Sequence, residues 1–150
     1  MKAVLQRVTN ASVEVDTEIS GSINHGLLVY LGIHEDDTSD DIEWLINKMT
    51  QLRIFSDENQ KMNLNINDAE GEFLIVSQFT LYASTKKGNR PSFTTVAKPD
   101  EAENLYHDFI EALKLKQGKH IQTGQFGANM KVSSVNDGPV TFVLDSRDKF

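Results

Sequence analysis

The sequence predicts a mixed α/β domain: a layered β-β-α sandwich on a barrel-like mixed sheet, with two main helices on one side. Three observations lead there. Strand-type patterns outnumber helical ones, and two segments carry apolar residues at helical spacing. One strand-like run, "GLLVYLGI" (26–33), is apolar on both parities, which calls for cover on both faces of a sheet. With 150 residues, of which 39% are hydrophobic, one domain over 1–150 with a substantial core is expected.

The elements follow in order. Residues 2–9 and 12–16 read as two strands, the second alternating Val13 and Val15 with Ser12, Glu14 and Asp16. Strand 26–33 comes next, then an acidic loop in which Ser39 or Asp40 can cap a helix. That helix places Ile42, Leu45, Ile46, Met49 and Leu52 on one stripe. "LRIF" (52–55) and the alternating "MNLNI" (62–66) are short strands around a turn-rich segment, and "FLIVSQFTLY" (73–82) is a long one. A second helix starts near Pro99, a residue suited to a first helical turn. Its stripe is Ala102, Leu105, Tyr106, Phe109, Ile110 and Leu113, and Gly118 ends it. The remainder is β-like with glycine punctuation, and no repeat or linker divides the chain.

Composition removes several classes of function. The chain has no cysteine, hence no disulfide, thiolate metal site or cysteine nucleophile. No apolar run reaches the roughly 20 residues needed to span a bilayer, and the N-terminus alternates like a strand instead of resembling a secretion signal. A cytoplasmic protein without membrane association is the expectation. Phosphate loops, nucleophile elbows, HExxH and dinucleotide fingerprints are missing, and His25, His34, His107 and His120 share no metal-ligand spacing. Neither metal nor cofactor is expected. A net charge of −7 argues against a broad grip on nucleic acid but leaves room for a local one. Basic residues cluster at Lys86, Lys87 and Arg90 and again at Lys114, Lys116, Lys119 and His120; both clusters also fit ordinary solvated surface.

Two stretches break the structural logic. "SQFTLY" (77–82) ends an apolar strand in polar groups, and strand parity sets Gln78 and Thr80 on one face, Ser77 and Phe79 on the other. An activated hydroxyl wants an adjacent base. None is near Thr80 in sequence. "VNDGPVTF" (135–142) inserts Gly138-Pro139, the pair least suited to a ladder, into good strand formers. It is either an ordinary turn or a backbone held in an unusual shape for a purpose.

Together with "KGNRPSF" (87–93) and "TGQFGANMKV" (123–132), "SQFTLY" and "NDGPVT" (136–141) resemble, in order and spacing, the motifs of the D-aminoacyl-tRNA deacylase family. "MKAVLQRVTNASVEV" and "KMNLNI" resemble it too, so the likeness covers nearly the whole chain. Ser134 departs from it, standing where a larger apolar residue is expected.

The resemblance implies a homodimeric, cytoplasmic esterase that removes D-amino acids from tRNA. It implies a cis Gly138-Pro139 bond inserted from one subunit into the other's site, where main-chain carbonyls receive the substrate's ammonium group. An L side chain would then collide with this wall, whereas glycine, lacking Cβ, would not be rejected. Main-chain N–H groups of Phe79 and Thr80 are assigned the oxyanion, with Thr80, Gln78 and Ser77 orienting the ester or a water. A covalent Thr80 ranks lower for want of a base. Arg7, matching the N-terminal motif, is implied to hold the Gly-Pro loop, although the residue alone fits an exposed strand arginine equally well. The basic clusters would contact acceptor-end phosphates. Competing expectations are a deacylase for another mischarged pair, a non-catalytic RNA-binding module and a generic Ser/Thr hydrolase.

Overall fold

The computed structural model describes residues 1–118 and 121–149; Lys119 and His120, and with them one predicted phosphate contact, lie outside the described residues. The chain runs β1 (Lys2–Val15), β2 (Glu18–Ile23), β3 (Gly26–Gly32), α1 (Ser39–Gln51), β4 (Phe55–Ser56), β5 (Met62–Leu64), β6 (Glu72–Ser77), α2 (Pro99–Gln117), β7 (Ile121–Thr123) and β8 (Lys131–Asp145). A 3-10 turn, Phe79–Tyr82, follows β6.

One mixed sheet dominates, ordered β2-β1-β3-β6-β7 with β8 on the other side of β1; β4 and β5 form a separate ribbon. The sheet is nearly closed into a barrel. Ser20 Oγ reaches Thr123 O at 3.3 Å, and a Cβ on Gly21 would fall 2.5 Å from the same carbonyl. Only glycine lets β2 approach β7 this closely.

Two apolar layers account for the architecture. Met1, Ala3, Leu5, Leu27, Val29, Leu31, Phe73 and Ile75 bury against α1 and α2, using Leu45, Met49, Phe109 and Leu113. The other sheet face puts Val8, Ala11, Val13, Leu28, Leu74 and Val76 into the barrel interior. β3 and β6 supply both layers, which is why the 26–33 run is apolar on both parities. The layering and the pair of helices agree with the sequence.

Several boundaries differ. The two N-terminal strands are one continuous β1, which passes from one apolar layer to the other around Arg7, where its pairing with β8 shifts. Thr38, not Ser39 or Asp40, caps α1 in a capping box with Asp41, and Leu52 lies at the C-cap. "LRIF" contributes only Phe55 to a strand, and "MNLNI" is a strand only over Met62–Leu64, pairing through Met62 and Leu64. No helix among the described residues is long and apolar enough to cross a membrane.

Candidate active site

The predicted strand 73–82 stops at Ser77. Gln78 N–H still donates to Leu31 O at 2.8 Å, and the chain then curls into the 3-10 turn. Gly32 on the neighbouring strand makes room, since a Cβ there would sit 3.0 Å from Leu81 Cβ and 3.1 Å from Gln78 O. Parity therefore does not carry Thr80 to Gln78; the turn does. Gln78 Nε2 donates to Thr80 Oγ1. This partner is an amide, so it orients the hydroxyl and takes no proton from it. Phe79 and Thr80 open the turn, where a 3-10 helix has no internal acceptor for N–H groups. Among the described residues neither amide has a hydrogen-bond partner.

The far end of the turn is anchored. The Tyr82 ring meets His34 edge-on at 5.1 Å and receives Lys2 Nζ 5.0 Å from its centroid. Burial first, then the Asp37 and Asp145 carboxylates, push the Tyr82 hydroxyl well above its usual range, so it stays protonated at neutral pH. Asp37 itself is buried and bridges the Met1 amine at 2.6 Å to the loop before α1, accepting His34 N–H at 2.7 Å.

Beside the turn opens a cavity of about 440 Å³. Ser77, Gln78 and Phe79 form one wall; Leu31, Ile33, Phe93, Val96, Ala97 and Phe126 make the rest apolar. Phe79 is 56% exposed and Phe93 40%, although their rings pair at 5.1 Å. Phe126 is backed by Tyr106, whose ring lies 5.6 Å away and whose hydroxyl donates to Ile75 O at 3.0 Å. Burial pushes this hydroxyl up as well. Lys98 and Pro99, at the start of α2, complete the mouth.

Gly138-Pro139 is neither a hairpin turn nor a break in the strand. β8 runs through it, with Gln6 opposite Thr141 and Val8 opposite Asn136. Residues 137–140 thus face Arg7 alone, and the surplus backbone bulges outward with both Gly138 and Pro139 exposed. The bond between them is cis. Arg7, only 8% exposed, donates from Nε to Asp137 O at 3.2 Å and from Nη1 to Ile54 O at 2.6 Å, and pairs with Asp137 Oδ2 at 2.9 Å. It is not a surface strand arginine. Asn136 Nδ2 ties the same bulge to Arg7 O and Val140 O, at 2.9 and 3.2 Å.

The two motifs do not meet within one chain. Ser77 pairs with Leu31, whereas Arg7 pairs with Leu27, four residues back along β3. At about 3.3 Å per residue, the bulge sits over 10 Å down the sheet from the turn, on β8 beyond β1. Residues 138 and 139 do not line the cavity.

The predicted basic residues also stand apart from the cavity. Lys86, Lys87 and Arg90 are exposed on the loop pinched by Ser84 and Ser92. Lys114 pairs with Glu111 at 2.8 Å, and Lys116 reaches Asn47. Both occupy the end of α2 remote from the cavity. Phe93 and Phe126 lie within the family-like motifs 87–93 and 123–132 without a chemical group that marks them, and nothing local in the sequence marks Lys98. Ser134 is exposed opposite Ala11, so no larger side chain is missing from the core.

Among the described residues, then, the Thr80 hydroxyl has an amide partner and no base, and the Phe79 and Thr80 N–H groups have no partner next to an apolar cavity that Phe79 lines. The model of the D-Tyr-tRNA(Tyr) deacylase family matches residues 4–145. The chain is 55% identical over 150 residues to the D-aminoacyl-tRNA deacylase of Thermosipho africanus, covering 100% of both chains. With that of Flavobacterium psychrophilum it shares 52% over 149 residues, 99% of each. Among solved structures it is similar to the c-Myc DNA unwinding element binding protein, with a TM-score of 0.92 and 43% identity over 97% of this chain and 98% of that one. A probable eukaryotic D-amino acid tRNA deacylase, 17% identical, shares the fold at a TM-score of 0.83 over 95% and 97% of the two chains. The chain belongs to the D-aminoacyl-tRNA deacylase family, whose members are ester hydrolases.

Proposed function

We propose that the protein hydrolyses the ester of D-aminoacyl-tRNA in the cytoplasm, releasing the D-amino acid and tRNA, and that it works as a homodimer. The carrying observation is the pair of unpaired Phe79 and Thr80 amides beside the cavity, next to a Thr80 hydroxyl that no base activates. An aminoacyl ester is already activated. Donors aimed at its developing oxyanion are worth about 3–4 kcal/mol each, enough to relieve the site of a full nucleophile–base–acid set. Ser77, Gln78 and Thr80 then orient the ester or an attacking water.

Discrimination is assigned to the bulge. The Gly138 and Pro139 carbonyls receive the substrate's ammonium group, leaving Cα two directions, one open and one blocked for an L side chain. Glycyl-tRNA, without Cβ, is cleaved too. Turn and bulge lie apart in one chain, which supports a bulge supplied by a second subunit. Two features support that assembly. Among the described residues β8 pairs only with β1, which leaves its other edge open, and Val135 and Val143 are exposed on this strand. Arg7 and Asn136 hold the bulge in shape from within.

Lys86, Lys87, Arg90, Lys114 and Lys116 contribute sequence-independent phosphate contacts. The experiment is hydrolysis of matched D- and L-tyrosyl-tRNA, with glycyl-tRNA alongside and chelator present. Cleavage of the D and glycyl esters with the L ester intact is the expected result. RNA binding without cleavage would instead mark a binding module, and equal cleavage of D and L esters would remove the role given to the bulge.

A further inference from the structure

Thirteen residues line the cavity beside the turn, and Lys98 is the one ionisable side chain among them. It is exposed and forms no ion pair among the described residues. Its backbone is fixed, because its carbonyl accepts Ala102 N–H at 2.8 Å and Pro99 follows as the first residue of α2. Acidic residues Asp100 and Glu101 come next in the first turn, yet neither lines the cavity. A free ammonium at the mouth of an otherwise uncharged, aromatic-lined pocket suits a ligand with an apolar plane and an adjoining anion. A terminal nucleoside with its phosphodiester has that form. The lysines at the far end of α2 are poorly placed for this contact, since Lys114 lies sixteen residues along from Lys98, about 24 Å at the helical rise, and Lys86, Lys87 and Arg90 do not line the cavity.

We infer that Lys98 is the phosphate-contacting residue of this site. It pairs with the phosphodiester that joins the 3′-terminal nucleoside to the rest of an RNA strand, and so makes the pocket prefer RNA-linked esters over free nucleoside esters. The identity of the RNA end rests on the deacylase reading; the cation at the cavity mouth does not.

The test has two arms. In the first, a short single-stranded RNA ending in adenosine is titrated by fluorescence anisotropy against wild type, Lys98→Gln and Lys98→Arg over a salt series. Lys98→Gln should weaken binding several-fold at low salt and flatten the slope of log K against log salt by about 0.7, the value of one single-strand phosphate contact. Lys98→Arg should restore both. An unchanged slope in Lys98→Gln overturns the inference. In the second arm, kcat/KM is measured on D-tyrosyl-tRNA and on D-tyrosyl-adenosine, which lacks the phosphodiester. Lys98→Gln should cut the preference for the tRNA ester about tenfold, mainly through KM. Equal losses on both substrates overturn the inference. Lys98-dependent RNA binding by a wild type that cleaves neither ester overturns the deacylase reading and leaves the phosphate contact standing.

Discussion

The 77–82 turn and the 137–140 bulge both interrupt a strand of the same sheet, yet they are built oppositely. The turn leaves donors open: among the described residues its first two amides have no partner, and its side-chain hydrogen bond, Gln78 to Thr80, is local and exposed. The bulge is clamped, with Arg7 and Asn136 together committing four hydrogen bonds to its flanks and to Ile54. A site that binds developing charge needs unpaired N–H groups, whose alignment comes from the backbone fold. A wall that excludes one side chain needs rigidity, which comes from partners behind it.

Phe79→Pro attacks the open side with the largest expected effect. Proline suits the first position of the turn and removes only that N–H from the main chain, so kcat should fall about 100-fold or more with the fold kept. Phe79→Leu keeps the amide and should lose far less; equal losses would move the effect from the donor to the ring.

Mixing subunits tests whether turn and bulge belong to different chains. Gly138→Ala would put a Cβ 2.7 Å from Asn136 Oδ1 and displace the side chain that ties the bulge. Each variant alone should be nearly inactive. Random heterodimers of Gly138→Ala with Phe79→Pro should recover about a quarter of the wild-type sites, since half of the dimers are mixed and each has one intact pair. Activity that stays absent on mixing would place both motifs in one subunit's site.

Arg7→Ala probes the clamp itself. It strips partners from two carbonyls and from the half-exposed Asp137 carboxylate, and should cost about 2–3 kcal/mol in urea unfolding. Thr80→Ala should have the smallest effect, within about 0.5 kcal/mol in stability, with measurable cleavage retained. Complete inactivity together with a trapped acyl-enzyme in the wild type would restore a covalent threonine.

The sequence carried the periodic parts of this molecule. The stripes of α1 and α2 and the two-sided run of β3 were legible because burial acts residue by residue at a fixed spacing. The motifs at 77–82 and 136–141 were legible as interruptions, since polar or ladder-breaking residues in apolar strands need a reason. Their shapes were not. Whether "SQFTLY" stays extended depends on Gly32, more than forty positions away, which leaves the space into which the chain curls. Whether Arg7 is exposed depends on β8 returning alongside β1, and the cavity depends on Phe93, Lys98 and Phe126 converging from separate segments. Such contacts are non-local and carry no period. Composition and pattern determined the layers, the helices and the places where the chain departs from regularity. Tertiary structure alone decided that the open amides and the clamped bulge lie apart on the sheet, because strand register, unlike burial, is set by which strands pair.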